Sequence, residues 1–118
     1  MIKQTIGIDI SKLKFDAALY DGNTYQVAEF TNDKKGFGAL TRWMKKQTGR
    51  DDLYVCLEAT GQYGHPLAHY LYEKGIPVSM VNPAQIKAYR DSQLRRNKTD
   101  QEDARAIAHF CATQHPRL

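Results

Sequence analysis

Between Ile6 and Ser11 the chain reads Ile-Gly-Ile-Asp-Ile-Ser, an apolar β-branched run with a single charge at its centre. Such a run is the signature of a buried strand. A carboxylate inside it costs several kcal/mol to desolvate unless it is hydrogen-bonded, paired or bound to a metal. Asp9 therefore requires a partner from elsewhere in the chain, or a turn hydrogen bond from Ser11. A second acid stands in the same relation to a second run: Leu53-Tyr54-Val55-Cys56-Leu57 ends on Glu58, just before Ala59-Thr60-Gly61.

The elements around these two runs follow from local pattern. Ile6 to Ile10, Phe15 to Tyr20 and Tyr25 to Phe30 read as three strands of an antiparallel meander, with Asp21-Gly22 as the hairpin signal between the last two. Asn32 or Asp33 caps a helix carrying Phe37, Leu40, Thr41 and Met44 on one stripe and ending near Gly49. After the Leu53 to Leu57 strand come a helix from about Pro66 to Lys74 with Gly75 at its end, a strand from Pro77 to Val81, and a helix from Pro83 to about Arg90. Strand, helix, strand in succession demands a parallel crossover, so the expectation is an α/β fold: a mixed five-stranded sheet flanked by helices.

The 118 residues suffice for one domain with its own core, at 42% apolar and 25% charged residues. No apolar stretch of about 18 residues exists, nor a secretory leader, which argues against membrane insertion and export and for the cytoplasm. Cys56 and Cys111 lack any CxxC or finger spacing, so a zinc site is not expected; both read as buried small apolar residues in a reducing compartment. The net charge of +4 is mild. Its placement is more telling, because Lys87, Arg90, Arg95, Arg96 and Lys98 crowd one segment against a single Asp91, immediately before Asp100 and Asp103. That segment is either a solvated helix face or a site for the phosphates of a nucleic acid.

Thr99-Asp100-Gln101-Glu102 matches a capping box, which sets the phase of a last helix. At about 100° per residue, Ala104, Ile107 and Cys111 lie within about 40° of Asp100, and Asp103 lies about 60° away. Glu102, Arg105 and His109 fall on the other side. Acids favour any helix N-terminus, but that preference does not require the buried face. Two carboxylates among apolar neighbours repel each other and lose solvation, and a divalent cation offsets both. If Asp9, Glu58, Asp100 and Asp103 meet at one site, four desolvation penalties are relieved together. Their hard oxygens suit Mg²⁺ or Mn²⁺, and a pair of such ions serves phosphodiester displacement.

Three blocks carry a family resemblance: Gly7-Ile8-Asp9-Ile10-Ser11-Lys12, then Glu58-Ala59-Thr60-Gly61, then Asn97-Lys98-Thr99-Asp100-Gln101-Glu102-Asp103-Ala104. In order and spacing the chain resembles, over nearly its whole length, the N-terminal domain of the DEDD-type insertion-sequence transposases of the one-ten family, which includes the Piv-like DNA invertases. The resemblance implies an RNase H-like fold of the RuvC type and maps a catalytic, metal-binding tetrad onto Asp9, Glu58, Asp100 and Asp103. It further implies a recombinase that cuts and rejoins donor and target DNA with Mg²⁺ or Mn²⁺, is guided by a structured non-coding RNA, and assembles as a homo-oligomer. Family members carry a nucleophilic serine in a C-terminal domain, and Ser11, Ser79 and Ser92 do not match it. Residues 1–118 are thus expected to be the catalytic N-terminal part of a longer transposase, unable by itself to complete recombination.

The same residues admit other readings. A stand-alone junction resolvase would cleave branched DNA with the metal alone. A non-catalytic nucleic-acid module would use only the basic segment and tolerate Asp9→Asn. Actin-like sugar kinases also open on Gly-Ile-Asp-Ile, but they need Gly or Thr after the Asp for a phosphate loop and a much longer, two-lobed chain. His65 and His69, four apart on a helix, are far in sequence from the acids and read as surface residues. Most tyrosines fit core or rim spacing, with Tyr89 beside Arg90 the best candidate to stack on a base.

Overall fold

Apolar residues at every second position, Ile6, Ile8 and Ile10, then Phe15, Ala17 and Leu19, set the architecture. The computed structural model describes residues 4–21, 24–49, 53–58, 63–92 and 100–114, and at 83, 89–92, 100–103, 113 and 114 the backbone only. In order, the elements are β1 (Thr5–Ile10), β2 (Lys14–Tyr20), β3 (Tyr25–Thr31), α1 (Lys34–Thr48), β4 (Tyr54–Glu58), α2 (His65–Glu73), β5 (Val78–Val81), α3 (Pro83–Ser92) and α4 (Asp100–Gln114). They build one five-stranded sheet in the order β3-β2-β1-β4-β5. β1, β2 and β3 pair antiparallel, whereas β4 runs parallel to both β1 and β5, giving the mixed sheet expected from the sequence.

Because side chains alternate across a strand, each central strand serves two different environments. Ile6, Ile8 and Ile10 of β1, Phe15, Ala17 and Leu19 of β2, and Val55 and Leu57 of β4 form one apolar core with Phe37, Leu40 and Met44 of α1 and Leu67 and Leu71 of α2. On the opposite face, Cys56, Val81 and Ile86 pack with Ile107, Phe110 and Cys111, and Ala18 packs with Ala104 and Ala108. α3 and α4 thus cover one face and α1 and α2 the other.

The helix ends follow their caps. Asp33 caps α1 by accepting a hydrogen bond from the Gly36 amide at 2.8 Å, and Gly49 closes it in the left-handed conformation (φ 75°) that glycine adopts without strain. Thr99, the expected cap of α4, lies outside the described residues, as does the Gly22-Asn23 centre of the β2–β3 hairpin.

Gly7 governs how α4 seats on the sheet. A Cβ there would lie 2.1 Å from the Ala108 nitrogen and 2.4 Å from the Ala104 oxygen, so only glycine lets the helix backbone approach this closely. Beside it, the Thr5 hydroxyl donates to the Ala108 carbonyl at 2.8 Å.

Two expectations change. Cys56 and Cys111 are buried, but they are joined as a disulfide between β4 and α4 with a Cα–Cα distance of 5.8 Å. The approach arises from tertiary packing across 55 residues of sequence, which neither local pattern reveals. α4 is also buried over a wider arc than one stripe: Ala108, Phe110 and Ala112 are buried with Ala104, Ile107 and Cys111. Arg105 and His109 are half-buried beside the sheet, with the guanidinium 5.9 Å from the Tyr25 ring and the imidazole 5.2 Å from that of Tyr20. The tyrosines at the β2–β3 end reach up alongside the helix and cover them.

Candidate active site

Asp9 belongs to the face of β1 that carries Thr5 and Gly7, so it lies on the α4 side of the sheet. Glu58 shares the face of Tyr54 and Cys56, again the α4 side. The parallel ladder aligns Gly7 with Cys56 and Ile8 with Leu57. One residue further on, the same register sets Asp9 beside Glu58 on adjacent central strands, whose backbones are spaced about 4.8 Å apart. Both are half-buried, at the carboxyl ends of β1 and β4. The Ser11 turn bond is not what satisfies Asp9, since the Ser11 amide and hydroxyl both donate to the Lys14 carbonyl, at 2.8 and 2.9 Å.

Two further acids stand in that row. Asp9 is paired across the antiparallel ladder with Asp16 of β2, and Asp16 in turn with Glu29 of β3. By alternation both share the α4 face with Ala18 and Val27. Asp16 is only 5% exposed, whereas Glu29 is exposed and ion-paired with Lys14. Asp16 is not among the acids named from the sequence, although it sits in an apolar run, Phe15-Asp16-Ala17-Ala18-Leu19, like that around Asp9.

Asp100 and Asp103 lie on the backbone of the first described turn of α4, and their side chains lie outside the description. Lys87 is exposed on α3 and Arg90 lies near its end, while Arg95, Arg96 and Lys98 fall outside the described residues. The basic segment therefore connects α3 to α4, the two helices on the face that bears the acids. Among the described residues no group of three or more His, Cys, Asp or Glu side chains is arranged to hold a metal. Asp9 and Glu58 supply two carboxylates, a hard-oxygen donor pair that fits Mg²⁺ or Mn²⁺ rather than zinc.

His69, Tyr70 and Tyr54 make surface or packing contacts. His69 pairs with Glu73 at 3.2 Å on an exposed face of α2. Tyr70 packs against Phe37, and Tyr54 against the Cys56 cluster, where burial pushes its phenol above the ordinary tyrosine range. Tyr89 has no described side chain. None of the described helices is long and apolar enough to cross a membrane.

Comparison with known proteins fits this architecture. The profile of the IS110-type DEDD transposases, described as transposase, matches residues 6–118. The chain is 42% identical over 119 residues to the pilin gene-inverting proteins of Moraxella lacunata and Moraxella bovis, a match covering 100% of this chain and 37% of each relative. It thus spans 37% of the length of these curated relatives. Among solved structures, T. thermophilus RuvC in complex with Holliday junction substrate superposes with a TM-score of 0.60 at 14% identity, covering 95% of this chain and 96% of that one. The fold is RNase H-like, and the chain belongs to the IS110-type DEDD family of transposases.

Proposed function

We propose that this chain is the metal-dependent catalytic domain of a DNA recombinase, in which Asp9, Glu58, Asp100 and Asp103 hold Mg²⁺ or Mn²⁺ at a scissile phosphodiester. The observation that carries this reading is the placement of Asp9 beside Glu58 on the face that α4 covers. The contacts of α4 extend the argument. Thr5 meets Ala108 and Gly7 meets Ala108 and Ala104, so the strand and the helix progress in opposite directions along their sequences. Two more residues along β1, about 7 Å, reach Asp9. Four residues back along α4, about 6 Å, lead from Ala104 to Asp100. The first turn of α4, with Asp100 and Asp103, is therefore level with Asp9.

A divalent ion held by these acids would supply activation of the attacking oxygen and stabilisation of the leaving one. The chain's own part is to fix acids from three elements in one place. The β1–β4 ladder fixes Asp9 against Glu58, the Gly7 contact fixes the height of α4, and the Cys56–Cys111 bond ties α4 to β4 two residues before Glu58. Lys87, Arg90, Arg95, Arg96 and Lys98 track the phosphates of donor and target DNA and of a structured guide RNA. The serine nucleophile comes from a C-terminal domain of a longer, homo-oligomeric protein, and the inversion of a pilin gene, named in two relatives, is one model for its reaction.

The test is thermal melting with and without the ion. At one hundred times its dissociation constant, a ligand of the folded state stabilises by about 2.7 kcal/mol. Mg²⁺ or Mn²⁺ should raise the melting temperature of the wild type, and Asp9→Asn or Asp100→Asn should abolish the rise. A rise that survives both substitutions rules out this ligand set. If Asp9→Asn also leaves every activity of the parent protein untouched, a non-catalytic nucleic-acid module is the better description.

A further inference from the structure

We infer that Asp16 is a positioning residue for Asp9, and that its charge sets how tightly the Asp9–Glu58 pair holds a divalent cation. The inference rests on the reading of that pair as ion ligands.

The row Glu58, Asp9, Asp16, Glu29 crosses four strands on one face of the sheet, and Asp16 is its most enclosed member at 5% exposed. Residues directly opposite on antiparallel strands have Cβ atoms about 4.5–5.5 Å apart. Two carboxylates so placed repel, the more strongly where solvent is excluded, and a cation near either one relieves the repulsion. Asp16 stands on β2, on the far side of β1 from Glu58, so its influence on an ion held between Asp9 and Glu58 is exerted through its neighbour Asp9. It supplies negative charge behind Asp9 and limits the directions that the Asp9 side chain takes. Glu29 lacks this leverage, being exposed and two strands away from Asp9.

A purely structural Asp16, accepting hydrogen bonds to hold β2, makes a different prediction. Its replacement would lower stability and leave ion affinity alone.

The experiment is calorimetric titration of the 118-residue chain with Mn²⁺, comparing wild type, Asp9→Asn, Asp16→Asn, Asp16→Glu and Glu29→Gln. Removing one buried unit charge this near the ion should weaken Mn²⁺ binding on the order of tenfold in Asp16→Asn. Asp16→Glu, which restores the charge, should stay within about threefold of the wild type, and Glu29→Gln within about twofold. An Asp16→Asn affinity within about twofold of the wild type overturns the inference, as does an equal loss in Glu29→Gln, which would make the effect one of general charge. If Asp16→Asn does not fold, Asp16→Ser is scored by the same criteria. Failure of both to fold makes Asp16 a structural residue and also overturns the inference. A wild type that does not bind Mn²⁺, or an Asp9→Asn variant that binds as well as wild type, defeats the ligand reading itself, a result distinct from failure at Asp16 alone.

Discussion

The two faces of the central sheet are made from the same strands and differ in almost every other respect. Towards α1 and α2 the strands present Ile6, Ile8, Ile10, Phe15, Leu19 and Leu57, large side chains filling a continuous core. Towards α4 they present Thr5, Gly7, Asp9, Asp16, Ala18, Cys56 and Glu58, which are small or polar. The first face is held by apolar volume. The second receives less apolar volume from the central strands, and adds to its Ile107–Phe110 cluster a close backbone approach at Gly7, the Thr5 hydrogen bond and a disulfide. The contrast teaches how a domain of this size accommodates carboxylates on its central strands. The stabilising core and the acids occupy opposite sides of the same strands, so the cost of the acids does not fall on the packing that folds the domain.

This difference predicts opposite responses to mutation. The largest effect should come from the covalent tie on the acid face. Opening a loop of 55 residues by reducing Cys56–Cys111 should cost about 4 kcal/mol, read as a lower urea midpoint in dithiothreitol, and Cys56→Ala should no longer respond to the reductant. On the core face, deleting volume should hurt next most: Leu57→Ala should lose about 3 kcal/mol in chemical denaturation. On the acid face, adding volume is what harms. Gly7→Ala pushes a methyl into the α4 backbone and should cost about 2 kcal/mol, with α4 amides exchanging hydrogen faster than those of β2. If Gly7→Ala is neutral, close helix approach is not what holds that face.

The smallest effect lies away from both faces and serves as their reference. The Gly36 amide and the Thr31 hydroxyl bonded to Asp33 hold its carboxyl below the usual carboxylate range. A depressed folded pKa gives stability that is present above the unfolded value of 3.8 and lost as pH falls through the folded one. Asp33→Ala should therefore be less stable than wild type at pH 7, with the gap closing below pH 3.8.

Much of this fold is legible in the sequence because its signals are local. Alternation marks β1 to β3, Asp33 and Gly49 mark the ends of α1, and the strand-helix-strand order gives the parallel half of the sheet. Asp9 and Glu58 stand out individually as acids in or at the end of apolar runs. Their adjacency depends on the β1–β4 pairing, which joins segments distant in sequence and leaves no trace in either. The Cys56–Cys111 bond escapes notice for the same reason. Asp16 is a different case, since its local signal equals that of Asp9. Its significance comes from being opposite Asp9 in the ladder, and that becomes visible only with the register.

The proposed ion site joins Asp9 and Glu58 on the α4 face. Crystals soaked in Mn²⁺ and measured at the manganese absorption edge test it most directly. An anomalous peak is expected about 2.1 Å from carboxylate oxygens of both residues, absent from Asp9→Asn crystals. A peak bound elsewhere, or none in the wild type at saturating Mn²⁺, would contradict it.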